Sequence, residues 1–233
     1  MHKQRIVIAT VKQCNIDNAK RFTEKNIEAL DVLLITDKDE LTENTLCEFN
    51  PEYVFFPHWS WIIPNNIYNN YNCIVFHTGD LPEFRGGSPI QNHIVRKVYN
   101  TKLSAIQVCE KLDSGKIYLK RDLSLEEGSL SDILAKISDV IFMEMVPEII
   151  KRKIVPRSQI GEGSYFSRRS PDMSNINKAD INDMRDLYDF IRMLDGEDYP
   201  KAYLPLGDTL VMELYEVKIK AGELKGSFRV YEK

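Results

Sequence analysis

The sequence predicts an α/β fold: a mostly parallel sheet with helices on both faces, followed by a small C-terminal extension of helix and strands. Three observations lead there. Short apolar runs alternate with amphipathic stretches through the first half of the chain. The runs are rich in Ile, Val and Phe, as strands buried on both faces are. Of the 233 residues, 43% are hydrophobic, enough for one large domain or a domain with an appendage.

Residues 5–10, 31–36, 53–57 and 72–76 are the expected strands, each bounded by Asn, Asp or Pro. Residues 17–30 and 41–49 are long and polar enough to be surface helices. In open sheets of this kind, ligands bind beyond the carboxyl ends of the strands. The loop after the first strand, residues 9–15, contains no glycine. A dinucleotide fingerprint needs glycines for its tight turn, so a nicotinamide site is disfavoured.

After residue 100 the pattern changes. Residues 103–110 and 116–123 read as two strands around the turn Leu112-Asp113-Ser114-Gly115. Residues 129–153 read as one long helix with Ser129 or Ser131 as N-cap and Lys151-Arg152-Lys153 at its end. Pro147 inside it predicts a kink or an early end. Residues 156–171 form a basic loop, 182–194 a second amphipathic helix, and 211–219 and 227–231 closing strands. A boundary near residue 155 divides residues 1–155 from an extension at 156–233. The closing strands are apolar on one face, which predicts a homodimer.

Lys and Arg number 31 against 35 Asp and Glu, a net charge of −4. That balance argues against a disordered chain and gives no global attraction for nucleic acid or anionic lipid. No apolar run approaches the roughly 18–20 residues of a membrane span. The apolar run Ile6-Val7-Ile8-Ala9 reads as a buried strand rather than a signal peptide, and the cytoplasm is the expected compartment. Cys14, Cys47, Cys73 and Cys109 are too widely spaced for a metal cluster or a disulfide framework. Each is expected to pack as a small reduced hydrophobe.

The chemically informative stretch is residues 72–89, NCIVFHTGDLPEFRGGSP. A strand ends at His77, a polar turn follows, and Arg85-Gly86-Gly87 precedes a helix starting near Ser88-Pro89. Gly-Gly permits close approach of backbone to a ligand. A histidine at a strand's carboxyl end suits either general acid/base work or a satisfied structural role.

The block His77-Thr78-Gly79-Asp80-Leu81-Pro82-Glu83-Phe84-Arg85-Gly86-Gly87-Ser88-Pro89 resembles the HxSxLPxxRGxxP signature of folate-dependent formyltransferases. The run Asp113-Ser114-Gly115-Lys116-Ile117 is similar to that family's D-x-G-x-I, and Asp113 follows His77 by 36 residues. The resemblance covers roughly residues 1–205 and implies a Rossmann-like fold. It implies that N10-formyltetrahydrofolate is the one-carbon donor, that no metal is required, and that His77 and Asp113 are catalytic. Val75 stands where the family has Asn, and either Gln91 or Asn92 is expected to supply the missing amide. The resemblance lines a pterin slot with Trp61, Ile62 and Ile63 on one wall and Cys109, Glu110, Lys111 and Leu112 on the other. Gly87 is placed at close backbone approach to the cofactor. His58 and His93 are expected to be structural or solvent-facing.

The segments 165–174 and 190–203 resemble those that follow the catalytic domain in sugar N-formyltransferases. They imply an acceptor amine on a nucleotide-linked amino-deoxy sugar for surface glycan synthesis, with Arg168 and Arg169 either pairing with its pyrophosphate or forming a solvated basic loop. About 30 residues follow Tyr203, and the net charge is −4. A methionyl-tRNA acceptor is therefore the alternative reading, with no nucleic acid or membrane partner expected. A degenerate binding protein, motivated by Val75, is the other alternative.

Overall fold

The computed structural model describes residues 3–232. The backbone divides into two compact units: residues 3–85, 102–123 and 135–164, and residues 86–101, 124–134 and 165–232. The division does not follow the boundary expected near residue 155, because two earlier segments join the C-terminal residues. The physical reason is long-range bonding: Gln91 Nε2 donates to Met193 O at 3.0 Å, and Arg192 donates to Leu125 O and Gly128 O at 2.8 and 3.0 Å.

The first unit is built on a sheet. Its chain order is β1 (Gln4–Ala9), α1 (Gln13–Lys25), β2 (Leu30–Ile35), α2 (Glu43–Phe49), β3 (Tyr53–Phe56), α3 (Asn65–Tyr68) and β4 (Cys73–Thr78). After β5 (Arg85–Gly86) and α4 (Pro89–Val95) come β6 (Asn100–Gln107) and β7 (Ile117–Ser124). The sheet order is β2-β1-β3-β4-β6-β7. The pairs of β1 with β2, β1 with β3, and β3 with β4 are parallel, while β4 meets β6 antiparallel. Ile6, Val7, Ile8 and Ala9 are fully buried, as a strand covered on both faces requires.

Helix α1 turns Asn15, Asn18, Ala19 and Phe22 inward at helical spacing. It begins before the expected 17–30 and stops at Lys25, because Asn26 closes a turn that receives Ala29 N and Leu30 N and frees Leu30 for β2. Thr42 caps α2 through its hydroxyl, which accepts from Thr45 N at 3.1 Å.

The expected long helix is interrupted. It runs as α5 (Leu130–Val140), a π-helical turn (Ile141–Met145) and α6 (Val146–Arg152), ending at Lys153 with φ 47. Ser129 is its N-cap: its hydroxyl accepts from Asp132 N and Asp132 Oδ2 accepts from Ser129 N, a reciprocal box. Pro147 has no amide hydrogen and its ring crowds the preceding turn. A widened π turn before it absorbs that cost without ending the helix.

In the second unit, β8 (Tyr165–Phe166) precedes α7 (Met184–Arg192) and a three-stranded antiparallel sheet, β11-β10-β9. Strands β10 (Leu210–Lys220) and β11 (Glu223–Glu232) are the expected closing strands, longer at both ends. Strand β9 (Ala202–Leu206) was not anticipated, since Pro205 argues against a strand; it is tolerated because β9 lies at the sheet edge. Phe228, Val230 and Tyr231 remain exposed. Among the described residues, no helix is long and apolar enough to cross a membrane.

All four cysteines are free. Cys73 is buried as expected, and burial pushes its thiol up to about 12. Cys47 and Cys109 are exposed, which corrects their reading as packed hydrophobes: Cys47 lies on the outer side of α2 and Cys109 in the loop after β6.

His58 follows β3 with φ 53, its Nδ1 3.1 Å from Asn15 Nδ2. Burial first, and Lys12 second, lowers its imidazole from 6.5 to about 4. The fold therefore accommodates the neutral ring. Its contribution to stability is complete above 6.5 and is lost as pH falls from there to about 4. The loss amounts to at most ~3 kcal/mol. In His58→Asn, which tolerates the left-handed backbone, thermal midpoints measured from pH 7 to 4.5 should fall less steeply than in the native protein.

Candidate active site

His77 is the penultimate residue of β4, and its side chain is 8% exposed. The strand end is pinned to its neighbour: Gly79 N donates to Lys102 O at 2.8 Å, and Ser104 Oγ donates to Gly79 O at 2.7 Å. Asp80, where the family signature has another residue type, is bound by Lys120 Nζ at 2.6 Å.

Two acceptors flank the imidazole. Nε2 lies 2.7 Å from the Phe84 carbonyl, and Nδ1 lies 3.5 Å from Oδ2 of Asp113, whose side chain is 11% exposed. A carbonyl and a carboxylate both accept, so each ring nitrogen faces an acceptor. Nε2–H is spent on Phe84. Nδ1 stands at ion-pair rather than hydrogen-bond distance from Asp113.

Neither acceptor rests on relaxed backbone. Phe84 has φ 60 and Asp113 φ 52, a region that costs a non-glycine residue roughly 1 kcal/mol or more. The Asp113 turn closes against β6 only because residue 115 is glycine: a Cβ there would lie 1.7 Å from the Gln107 carbonyl oxygen. Sequence reasoning did not single out Gln159, whose amide holds this turn by donating to Asp113 O and Gly115 O, each at 2.8 Å. Those bonds span 46 and 44 residues, and no local pattern announces them.

The segments expected to form a pterin slot start from one place on the first unit. Trp59, Val75 and Val108 all pack on the apolar cluster that contains Ile63. Trp61 meets Trp59 edge-on at 4.9 Å, and Ile62 is 94% exposed. Cys109, Glu110, Lys111 and Leu112 are exposed, with Cys109 Sγ donating to Lys111 O at 3.2 Å. Exposed Trp61, Ile62 and Leu112 offer apolar surface that suits the face of a flat ring. Ile63 does not fit that role: it is buried in the cluster and anchors the loop.

Other expectations are corrected. Val75 packs half-buried on the same cluster, and the amides expected to replace the family asparagine are committed within the second unit. Asn92 Nδ2 donates to Gly87 O and Ser167 O, and its Oδ1 accepts from Arg96. Gln91 holds Met193 O. Gly87 makes room for protein rather than cofactor, since a Cβ there would meet Arg168 Cβ at 2.5 Å. Ser88 has φ 48 and makes no capping bond to α4; its hydroxyl accepts from Arg169 N instead. His93 is structural, with Nδ1 2.7 Å from Pro89 O and Nε2 2.9 Å from Thr101 Oγ1.

Arg168 is exposed. Arg169 is half-buried, donates to Met173 O at 2.6 Å, and has a buried Nε without a partner. Burial first lowers its guanidinium, and Arg96 adds repulsion. It lines a cavity of about 420 Å³ in the second unit, where Lys97 and Lys178 are paired with Asp186 and Asp172.

Two family models match this chain. The family model described as formyl transferase matches residues 3–140, and that described as methionyl-tRNA formyltransferase, C-terminal domain, matches residues 171–231. This second match runs counter to the expectation that the C-terminal residues set the chain apart from the tRNA enzymes. Methionyl-tRNA formyltransferase of Bacillus cereus (strain G9842) is 30% identical over 206 residues, covering 84% of this chain and 63% of the relative. The chain thus spans about 63% of the length of the curated relatives it matches. A solved structure described as methionyl-tRNA formyltransferase from Clostridium thermocellum superposes with a TM-score of 0.94 at 43% identity, covering 99% of this chain and 100% of that one. A sugar N-formyltransferase from Shewanella sp FDAARGOS_354 superposes at 0.68 with 17% identity over 97% of both chains, a likeness of fold alone. With more than half its length matched by the family model, and the motif residues placed together as His77 and Asp113 are, this chain belongs to the formyl transferase family.

Proposed function

We propose that the chain transfers a formyl group from N10-formyltetrahydrofolate to a primary amine. The observation that carries this reading is the His77 ring held between Asp113 and the Phe84 carbonyl. The co-substrate supplies the formyl carbon. Attack by a neutral amine forms the new C–N bond and places negative charge on the formyl oxygen, which the Nδ1–H of His77 stabilises. Asp113 supports that charged ring or accepts the proton the amine loses, and His77 returns a proton to the departing nitrogen. One bond forms, one breaks, and the proton count is unchanged.

Methionyl-tRNA is the acceptor we place first, supported by the names of the relatives at 30% and 43% identity and by the C-terminal match. A nucleotide-linked amino sugar is the second reading, favoured by the net charge of −4, which offers a polyanionic tRNA no general attraction. Formyl transfer from labelled N10-formyltetrahydrofolate to methionyl-tRNA and to a panel of nucleotide amino sugars decides between them. Product with neither acceptor overturns the activity.

The donor side has its own check. A folate analogue should quench tryptophan fluorescence, and Trp61→Leu should lose much of that quenching. Unchanged quenching in both Trp59→Leu and Trp61→Leu places the pterin elsewhere.

A further inference from the structure

Resting on the formyl-transfer reading, we propose that residues 159–164 form a positioning strap that sets both partners of His77, the Phe84 carbonyl and the Asp113 carboxylate, with Gln159 and Ser164 as its two contact points. Gln159 works on the Nδ1 side. Its Nε2 donates to the carbonyls of Asp113 and Gly115, each at 2.8 Å, so it holds the turn that aims the Asp113 carboxylate. Its Oε1 accepts from Arg85 Nε and Nη2 at 3.1 and 2.6 Å, which fixes the amide's orientation. Arg85 is the arginine of the Arg-Gly-Gly turn. That side chain therefore faces inward to brace Gln159.

Ser164 works on the Nε2 side. Its hydroxyl accepts from Phe84 N at 2.9 Å, and its main chain receives Arg85 N at 3.0 Å and donates to Pro82 O at 3.3 Å. The Phe84 carbonyl that meets His77 is thus set by the same six-residue segment. The strap reaches these places because Gly163 has φ 75 and no side chain: a Cβ there would lie 2.3 Å from the Pro82 carbonyl oxygen.

Strained backbone makes the strap necessary. Phe84 and Asp113 both adopt left-handed φ values, and such residues keep them only where the surroundings over-determine the conformation. Here the bonds that do so come from one segment on both sides of the ring. A displacement of the carboxylate or carbonyl by an ångström would misplace the reacting group, and geometry of that kind carries about 100-fold in rate.

The test separates positioning from mere support of the fold. Gln159→Glu keeps the size and the Arg85 pairing but cannot donate to the two carbonyls. Its kcat should fall ~10–100-fold with KM for formyl-folate changed less than about threefold. The same substitution in an Asp113→Asn background should have little further effect, because Gln159 acts through Asp113. Independently of any substrate, the Hε1 resonance of His77 should move in Gln159→Glu toward its position in Asp113→Asn. Ser164→Ala provides a second variant and should also shift that resonance, from the Nε2 side. Equal losses in both backgrounds, or an unmoved His77 resonance in folded variants, would overturn the strap. Shifted resonances in a protein that forms no formylated product would instead sink the proposed reaction and leave the strap standing.

Discussion

Asp113→Asn is expected to lower kcat for formyl transfer by about 100-fold or more, and His77→Ala by at least as much. Asparagine preserves the size of Asp113 and its place in the turn, while removing the charge that faces His77 Nδ1 at 3.5 Å. The loss should therefore fall on the transition state, with KM for formyl-folate little changed. The two substitutions remove parts of one device, so the double variant should be scarcely slower than His77→Ala alone. Steady-state rates, with melting curves to show that each variant remains folded, check this. Near-native turnover in Asp113→Asn would remove its role as the partner of His77.

The largest stability effect is expected in the second unit, at Asp189. Arg192 is 1% exposed, and its Nε lies 2.6 Å from Asp189 Oδ1. Oδ2 of the same carboxylate accepts from Tyr99 Oη at 2.6 Å and Arg185 Nε at 2.9 Å. Desolvating this cluster is offset only while every donor keeps its acceptor. Asp189→Ala leaves the Arg192 guanidinium buried with two main-chain carbonyls and no counter-charge. The cost should be about 3–5 kcal/mol, since breaking a buried pair strands a charge. Urea unfolding monitored by circular dichroism measures it. A loss under about 1 kcal/mol would mean the cluster contributes no more than an exposed ion pair does. Exposed Lys225 and Glu223 on the C-terminal sheet make a suitable control, since breaking their pair should be close to neutral.

The sequence by itself determined the parallel sheet and singled out His77 and Asp113, which the structure brings together. Strands β1 to β4 were legible because burial on both faces demands unbroken apolar runs such as Ile6 to Ala9 and Tyr53 to Phe56. The cap at Ser129 was legible because a cap is a bond between residues three apart. His77 and Asp113 could be named because their motifs are local, although the 3.5 Å that joins them is not. The tertiary structure decided the rest. Gln91 and Asn92 sit on the first turn of α4, as the sequence suggested, but their amides are consumed by Met193, Gly87 and Ser167. Gln159 looks like any loop glutamine until the chain returns to Asp113, and the second unit gathers segments that the sequence keeps apart. Local periodicity records which face of a segment is buried. The partner of a buried polar group is chosen by whichever distant backbone arrives beside it, and only the folded chain supplies that.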